Sequence, residues 1–182
     1  PDILMVGEVR DLETATIAIQ SALTGHRVFS TLHTNDSPSA ITRLIDLGIE
    51  PFLVASSVIA VMAQRLVRQI CPHCKTAYEP EDEKLHSIGL KRSDLINGVL
   101  YHGTGCDECL NTGYLGRIGI FELLVVDDLV RAQIMAKEDA NVIKQRAVEK
   151  GLITLRMDGA RKVVQGMTTI EDVLRVSQMD IF

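Results

Sequence analysis

The amino-acid sequence predicts an α/β fold with a four-cysteine insertion and a helical tail. Three observations lead to it. An apolar run, Ile3 to Gly7, breaks into Glu8, Arg10 and Asp11 and is followed by a helical repeat and a second β-rich run. Two C-x-x-C pairs interrupt the middle of the chain. Beyond Asp127 the apolar spacing is helical.

The run Ile3 to Gly7 has the texture of a strand covered on both faces, as in parallel sheets. Asp11 suits a helix N-cap. Leu12, Ala15, Ala18, Ile19, Ala22 and Leu23 mark one helical face, and Gly25 is placed to end it. The stretch "RVFSTLHTND" then supplies a second strand, completing a unit long enough for a right-handed crossover between parallel strands. Both strands end in polar clusters on one edge, where ligands of open α/β sheets gather.

Ser37 with Pro38 predicts a helix start, and Gly48 its stop. Pro51 to Gln64, apolar almost all round, predicts a buried helix. From Arg65 periodicity weakens until "GRIGIFELLVV" restores a strand. The tail predicts helices over Asp139–Lys150 and Thr154–Gln165, each closed by glycine, and a capping box of Thr168 with Glu171.

The chain has 182 residues, 46% hydrophobic and 24% charged, enough for one sizeable core with one or two small appended units. The longest apolar window, Phe52 to Ala63, is too short to span a bilayer, so no membrane insertion is expected and the expected location is cytoplasmic. A net charge of -5 and a pI near 5.5 argue against a broad nucleic-acid footprint but leave room for a local basic patch such as Arg65 with Arg68.

All four cysteines lie in the pairs Cys71/Cys74 and Cys106/Cys109, separated by thirty-one residues. Two such knuckles brought together make a closed tetrahedral zinc site, structural rather than catalytic because sulfur fills every position. A disulfide pair is disfavoured in a cytoplasmic setting, and a redox C-x-x-C needs no second copy. His73, inside the first pair, reads as an exposed spacer.

Glu8 at a strand end is a candidate for holding Mg²⁺ or orienting water at a phosphate, with His33 reporting on that phosphate from the neighbouring strand. The plainer alternative pairs Glu8 with Arg10 or Arg27 and leaves His33 as a hydrogen-bonded loop residue. His26 reads as helix-terminal. The chain contains no G-x-x-x-x-G-K-[ST]. If it serves a nucleotide hydrolase, the phosphate-cradling loop lies upstream of Pro1, and the chain is expected to be a fragment of a longer protein.

Two stretches carry a resemblance. "ILMVGEVRDLETATIAIQSALTGHRVFSTLHTND" resembles the Walker B segment and His box of the ATPases that power type II secretion and type IV pilus assembly, and "GCDECLNTGYLGRIGIFELL" resembles their metal-binding segment. The resemblance implies that Glu8 acts on the attacking water, that Gly7 leaves room near the phosphates, and that His33 and His26 are the His-box histidines, with His33 facing the γ-phosphate. It gives Arg10 and Asp11 no chemical role. It implies ATP and Mg²⁺ in the parent protein and structural Zn²⁺ on Cys71, Cys74, Cys106 and Cys109. The pilus-retraction branch lacks these cysteines, so export or extension is implied. The implied fold is the C-terminal part of a RecA-like P-loop NTPase core over residues 1–66, a tetracysteine metal-binding subdomain with strand return over 67–124, and a helical C-terminal domain over 125–182. The implied assembly is a homo-hexamer peripheral to the inner membrane, with the platform protein and adaptors of the machine as partners. Without the Walker A loop, the chain alone is expected to be inactive. The alternative is a non-enzymatic zinc-binding module that docks a protein partner. A third reading, nucleic-acid binding by the knuckles, is opposed by the acidic "EPEDEK" between them.

Overall fold

The computed structural model describes residues 1–177 and shows a mixed α/β chain. In chain order its elements are β1 (Ile3–Val6), α1 (Leu12–Leu23), β2 (Arg27–Ser30), α2 (Ser37–Asp46), α3 (Pro51–Ser57), β3 (Ala60–Ile70), β4 (Lys75–Tyr78), α4 (Asp82–Ser87), β5 (Leu100–Gly103), β6 (Tyr114–Val125), α5 (Asp128–Met135), α6 (Ala140–Glu149), α7 (Leu155–Val164) and α8 (Ile170–Val176), with short 3₁₀ turns between. They gather into two compact units, Pro1–Ala63 with Leu123–Leu152 and Gln64–Glu122 with Ile153–Phe182. Helices α5 and α6 belong to the first unit and α7 and α8 to the second.

In the first unit β1 and β2 pair in parallel, Ile3 opposite Arg27 and Val6 opposite Ser30. The crossover α1 starts at Asp11, whose carboxylate accepts the Thr14 N–H at 2.8 Å, and ends before Gly25 at φ 99°. Ala15, Ala18 and Ile19 face a core completed by Ile41, Leu44, Val54, Ile134 and Ile143. The expectation that β1 is covered on both faces does not hold. Ile3 and Met5 stay 59% and 69% exposed while Leu4 and Val6 are half-buried, because within this chain a two-stranded ladder has one crossover helix to cover it. The second helix is capped one residue earlier than expected. Asp36, not Ser37, accepts the Ser39 N–H, at 3.0 Å, since a carboxylate there satisfies the same orphan donors.

The helix expected over Pro51–Gln64 stops at Ser57. The Ser56 and Ser57 hydroxyls bond back to the Phe52 and Leu53 carbonyls, and the β-branched Val58, Ile59 and Val61 lead into β3, which pairs with β6. Ladder hydrogen bonds outweighed the apolar texture.

In the second unit β4 and β5 form an antiparallel ribbon, Lys75 opposite Gly103 and Tyr78 opposite Leu100. Helix α7 begins at Thr154, whose hydroxyl accepts the Met157 N–H at 3.2 Å. Its Gly159 sits so close to Val173 that a methyl group would overlap the valine. The expected capping box at Thr168 shifts by one. Thr169 accepts the Asp172 N–H, leaving Thr168 to donate to the Arg68 carbonyl at 2.8 Å.

Asp172, in the first turn of α8, is fully buried. Its carboxylate accepts from Arg68 Nε at 2.7 Å and Arg175 Nη2 at 3.1 Å. Burial pushes this carboxyl up, but the Arg68 backbone N–H and the two guanidinium groups outweigh it and hold the group below the usual carboxylate range. A carboxyl whose pKa is depressed on folding adds stability at pH values above about 3.9, its value in the unfolded chain, and that stability is lost as pH falls through the folded value. Asp172→Ala takes away the acceptor of the Arg68 N–H and of two guanidinium groups that remain about half exposed to water, and is expected to cost about 1–3 kcal/mol at pH 7. In urea denaturation the gap between wild type and variant should close as pH falls below about 3.9.

Candidate active site and metal centre

The first site is assembled by the parallel register. Gly7 and Glu8 follow β1 directly, and the chain after β2 runs alongside: the Val9 N–H donates to the Thr31 carbonyl at 2.9 Å and the Thr31 hydroxyl donates to the Gly7 carbonyl at 2.8 Å. His33, two residues on, brings Nε2 against Glu8 Oε1. Arg10 Nε lies 2.6 Å from Glu8 Oε2. The Glu8 side chain is 23% exposed, and Oε1 is buried where it faces the imidazole, whereas the His33 side chain is 81% exposed.

The arrangement is a carboxylate at a strand end, flanked by an imidazole and a guanidinium, with one side open. A carboxylate so placed can accept a proton from water, and a protonated imidazole beside it can donate to an anionic oxygen. A Cβ on Gly7 would meet nothing within 4 Å, so the chain past β1 borders open space on that side. His26 is held elsewhere, with Nδ1 3.1 Å from the Ser21 carbonyl and 3.2 Å from the Thr24 hydroxyl at the C-terminal end of α1. It joins none of the contacts of Glu8. Asp36, after the second polar cluster, caps α2 and pairs with Lys144 at 3.4 Å.

The second site is the cysteine cluster. The Sγ atoms of Cys71, Cys74, Cys106 and Cys109 all lie within 4.8 Å of one another. Three of the separations are 3.8 Å for Cys71 to Cys106, 3.9 Å for Cys74 to Cys109 and 3.7 Å for Cys106 to Cys109. A tetrahedron of thiolates around zinc, with Zn–S bonds of about 2.3 Å, has edges of about 3.8 Å. Disulfides are excluded at these distances, and all four cysteines are free.

Backbone N–H groups aim at the sulfurs, as thiolates require: Gly105 at Cys74 Sγ, and Cys106 and Gly113 at Cys109 Sγ, each at 3.3 Å. Burial pushes the Cys109 thiol up, but the N–H groups of Cys106 and Gly113 outweigh it and bring it down to about 6. The Cys109 N–H draws Cys106 down, but burial and the crowded thiols carry it up to about 12. Four sulfurs this close do not ionise together unless a cation sits among them. The cage is drawn tight by two glycines. A methyl group on Gly103 would overlap the Gly113 backbone, and Gly113 has φ 76°. Sequence reading did not single out either glycine, although both stand a few residues from a cysteine. His73 is exposed and takes no place in the cluster.

The family described as "Type II/IV secretion system protein" matches residues 1–175. The chain is 53% identical over 174 residues to the type IV pilus assembly ATPase PilB of Thermus thermophilus, covering 96% of this chain and 20% of that protein. It is 48% identical over 178 residues to the type II secretion system ATPase E of Vibrio cholerae, covering 98% and 35%. The chain thus spans between a fifth and about a third of these relatives. Its fold is similar to the X-ray structure of the Legionella pneumophila ATPase DotB, with TM-score 0.62 at 22% identity over 97% of this chain and 38% of that one. With a family match over nearly its whole length and close relatives in both machines, the chain belongs to the type II/IV secretion system protein family.

Proposed function

We propose that this chain is the C-terminal part of a hexameric ATPase that works at the cytoplasmic face of the inner membrane and drives type II secretion or type IV pilus assembly. The observation that carries the reading is the contact of Glu8 with His33 where two parallel strands end. Its residues 1–66 would complete a RecA-like P-loop NTPase core, 67–124 the metal-binding subdomain with strand return, and 125–182 the helical C-terminal domain. Glu8 accepts the proton of the water that attacks the terminal phosphate of ATP, and His33 orients Glu8 and meets the phosphate oxygens from the exposed side of its ring. ATP is held with Mg²⁺ by a Walker A loop outside these 182 residues, so the chain alone is expected to bind ATP weakly and to hydrolyse none. The platform protein and adaptors of the machine are the partners. Among the described residues no helix is long and apolar enough to cross a membrane.

The four cysteines fit structural zinc, held by Cys71, Cys74, Cys106 and Cys109 with no position left for substrate. A second reading, a zinc-binding interaction module without chemistry, is favoured by the 2.6 Å contact of Arg10 with Glu8, which would make Glu8 a surface ion pair.

Two outcomes follow. In the parent ATPase, Glu8→Gln is expected to lower turnover by about two orders of magnitude with ATP binding kept, while an unchanged rate favours the interaction module. Cys71→Ser is expected to abolish stoichiometric zinc by elemental analysis and to melt the second unit at lower temperature, since metal binding and folding are coupled. Unchanged zinc content and melting would remove the metal site.

A further inference from the structure

The second unit carries a half-open cavity of about 790 Å³ between the end of α4 with its following loop and one face of α7. Its wall is apolar, formed by Ile88, Leu90, Met157 and Val164, of which Ile88 and Leu90 are buried. Ile96 stands exposed at the rim, on a turn where Asn97 takes φ 56°. The size is that of ligand pockets, which bind through apolar walls and a few placed polar groups.

The charges are unbalanced. Arg156 and Arg161 line the cavity against one acid, Asp94. Asp94 is committed to its own turn, accepting the Lys91 N–H at 2.8 Å. Arg156 is pinned by backbone carbonyls, those of Ser87 at 3.3 Å and Ser177 at 3.4 Å, and its buried Nε has no hydrogen-bond partner. Neither arginine has a carboxylate partner among the described residues. A guanidinium held in place with no carboxylate beside it among the described residues is a prepared site for one.

We propose that this cavity docks an acidic, apolar peptide segment of a partner protein, one large apolar side chain seated against the partly exposed Met157 and Val164 beside Ile96 and a flanking carboxylate on Arg161 and Arg156. A peptide fits better than a small molecule. The open side prevents the nearly complete burial that small ligands need, but admits a chain lying across the rim past Ile96. The surface is independent of Glu8 and of its proposed chemistry.

The test is fluorescence anisotropy on the full chain with a labelled short peptide alternating glutamate and leucine, against its lysine-for-glutamate counterpart. Saturable binding of the acidic peptide alone is expected, with a dissociation constant on the order of tens of micromolar. Arg161→Glu, at an exposed position on α7, should weaken it about tenfold or more with melting unchanged, and Ile96→Asp should weaken it as well. Arg161→Lys should keep most of it. Equal binding of both peptides, no saturation, or unaltered binding in both Arg161→Glu and Ile96→Asp would overturn the proposal. So would capture of the chain by phosphatidylglycerol vesicles that the acidic peptide does not displace, which would make the surface one for lipid.

Discussion

The parallel pairing of β1 with β2 is the constraint on which the first unit depends. Because Val6 stands opposite Ser30, the residues after each strand leave the ladder at the same edge, and Glu8 and His33 meet without a long loop to hold them. A slip of one residue would turn Leu4 and Val6 outward and carry the following residues to the opposite face. The same register leaves Ile3 and Met5 uncovered, so the strand that presents the carboxylate is among the least buried parts of its unit. The bonds that fix the edge are local. The Thr31 hydroxyl and the Val9 N–H tie the two exits together, and α1 holds the strands at crossover distance through Ala15, Ala18 and Ile19.

The second unit solves a different problem. The ribbon of β4 and β5 is short, and a two-stranded hairpin is marginal by itself in water. Two things supply what it lacks. The sulfur cage closes one end, with glycines where any side chain would collide. The buried Asp172 joins Arg68 of β3 to Arg175 of α8, pinning a helix to a strand more than a hundred residues away. The cage is the more local device and the carboxylate the longer-range one.

The sequence made the chemistry-bearing residues visible and left much of the scaffold uncertain, for identifiable reasons. The C-x-x-C spacing names its ligands outright, and the Asp11 cap, the 3.6-residue repeat and Gly25 delimit α1 because all three signals agree. Glu8 and His33 were legible as polar ends of apolar strands, although their mutual contact is a matter of register that one sequence does not print. Pro51 to Gln64 misled because a continuous apolar stretch has no period to distinguish strand from helix, and pairing of β3 with β6 is a long-range fact. The caps at Asp36 and Thr169 were each one residue from the expected position, since adjacent residues of the same capping type compete and small backbone differences decide between them. Asp172 gave no signal, because nothing local marks an aspartate whose partner is Arg68.

The measurement that tests the central claim most directly is a double-mutant cycle on turnover in the parent ATPase, with Glu8→Gln, His33→Asn and the pair. If carboxylate and imidazole act as one unit at the strand ends, the double variant is expected to be little slower than the slower single variant, because removing either group disables both. Independent, multiplicative losses would contradict the account, and so would a His33→Asn enzyme as fast as wild type.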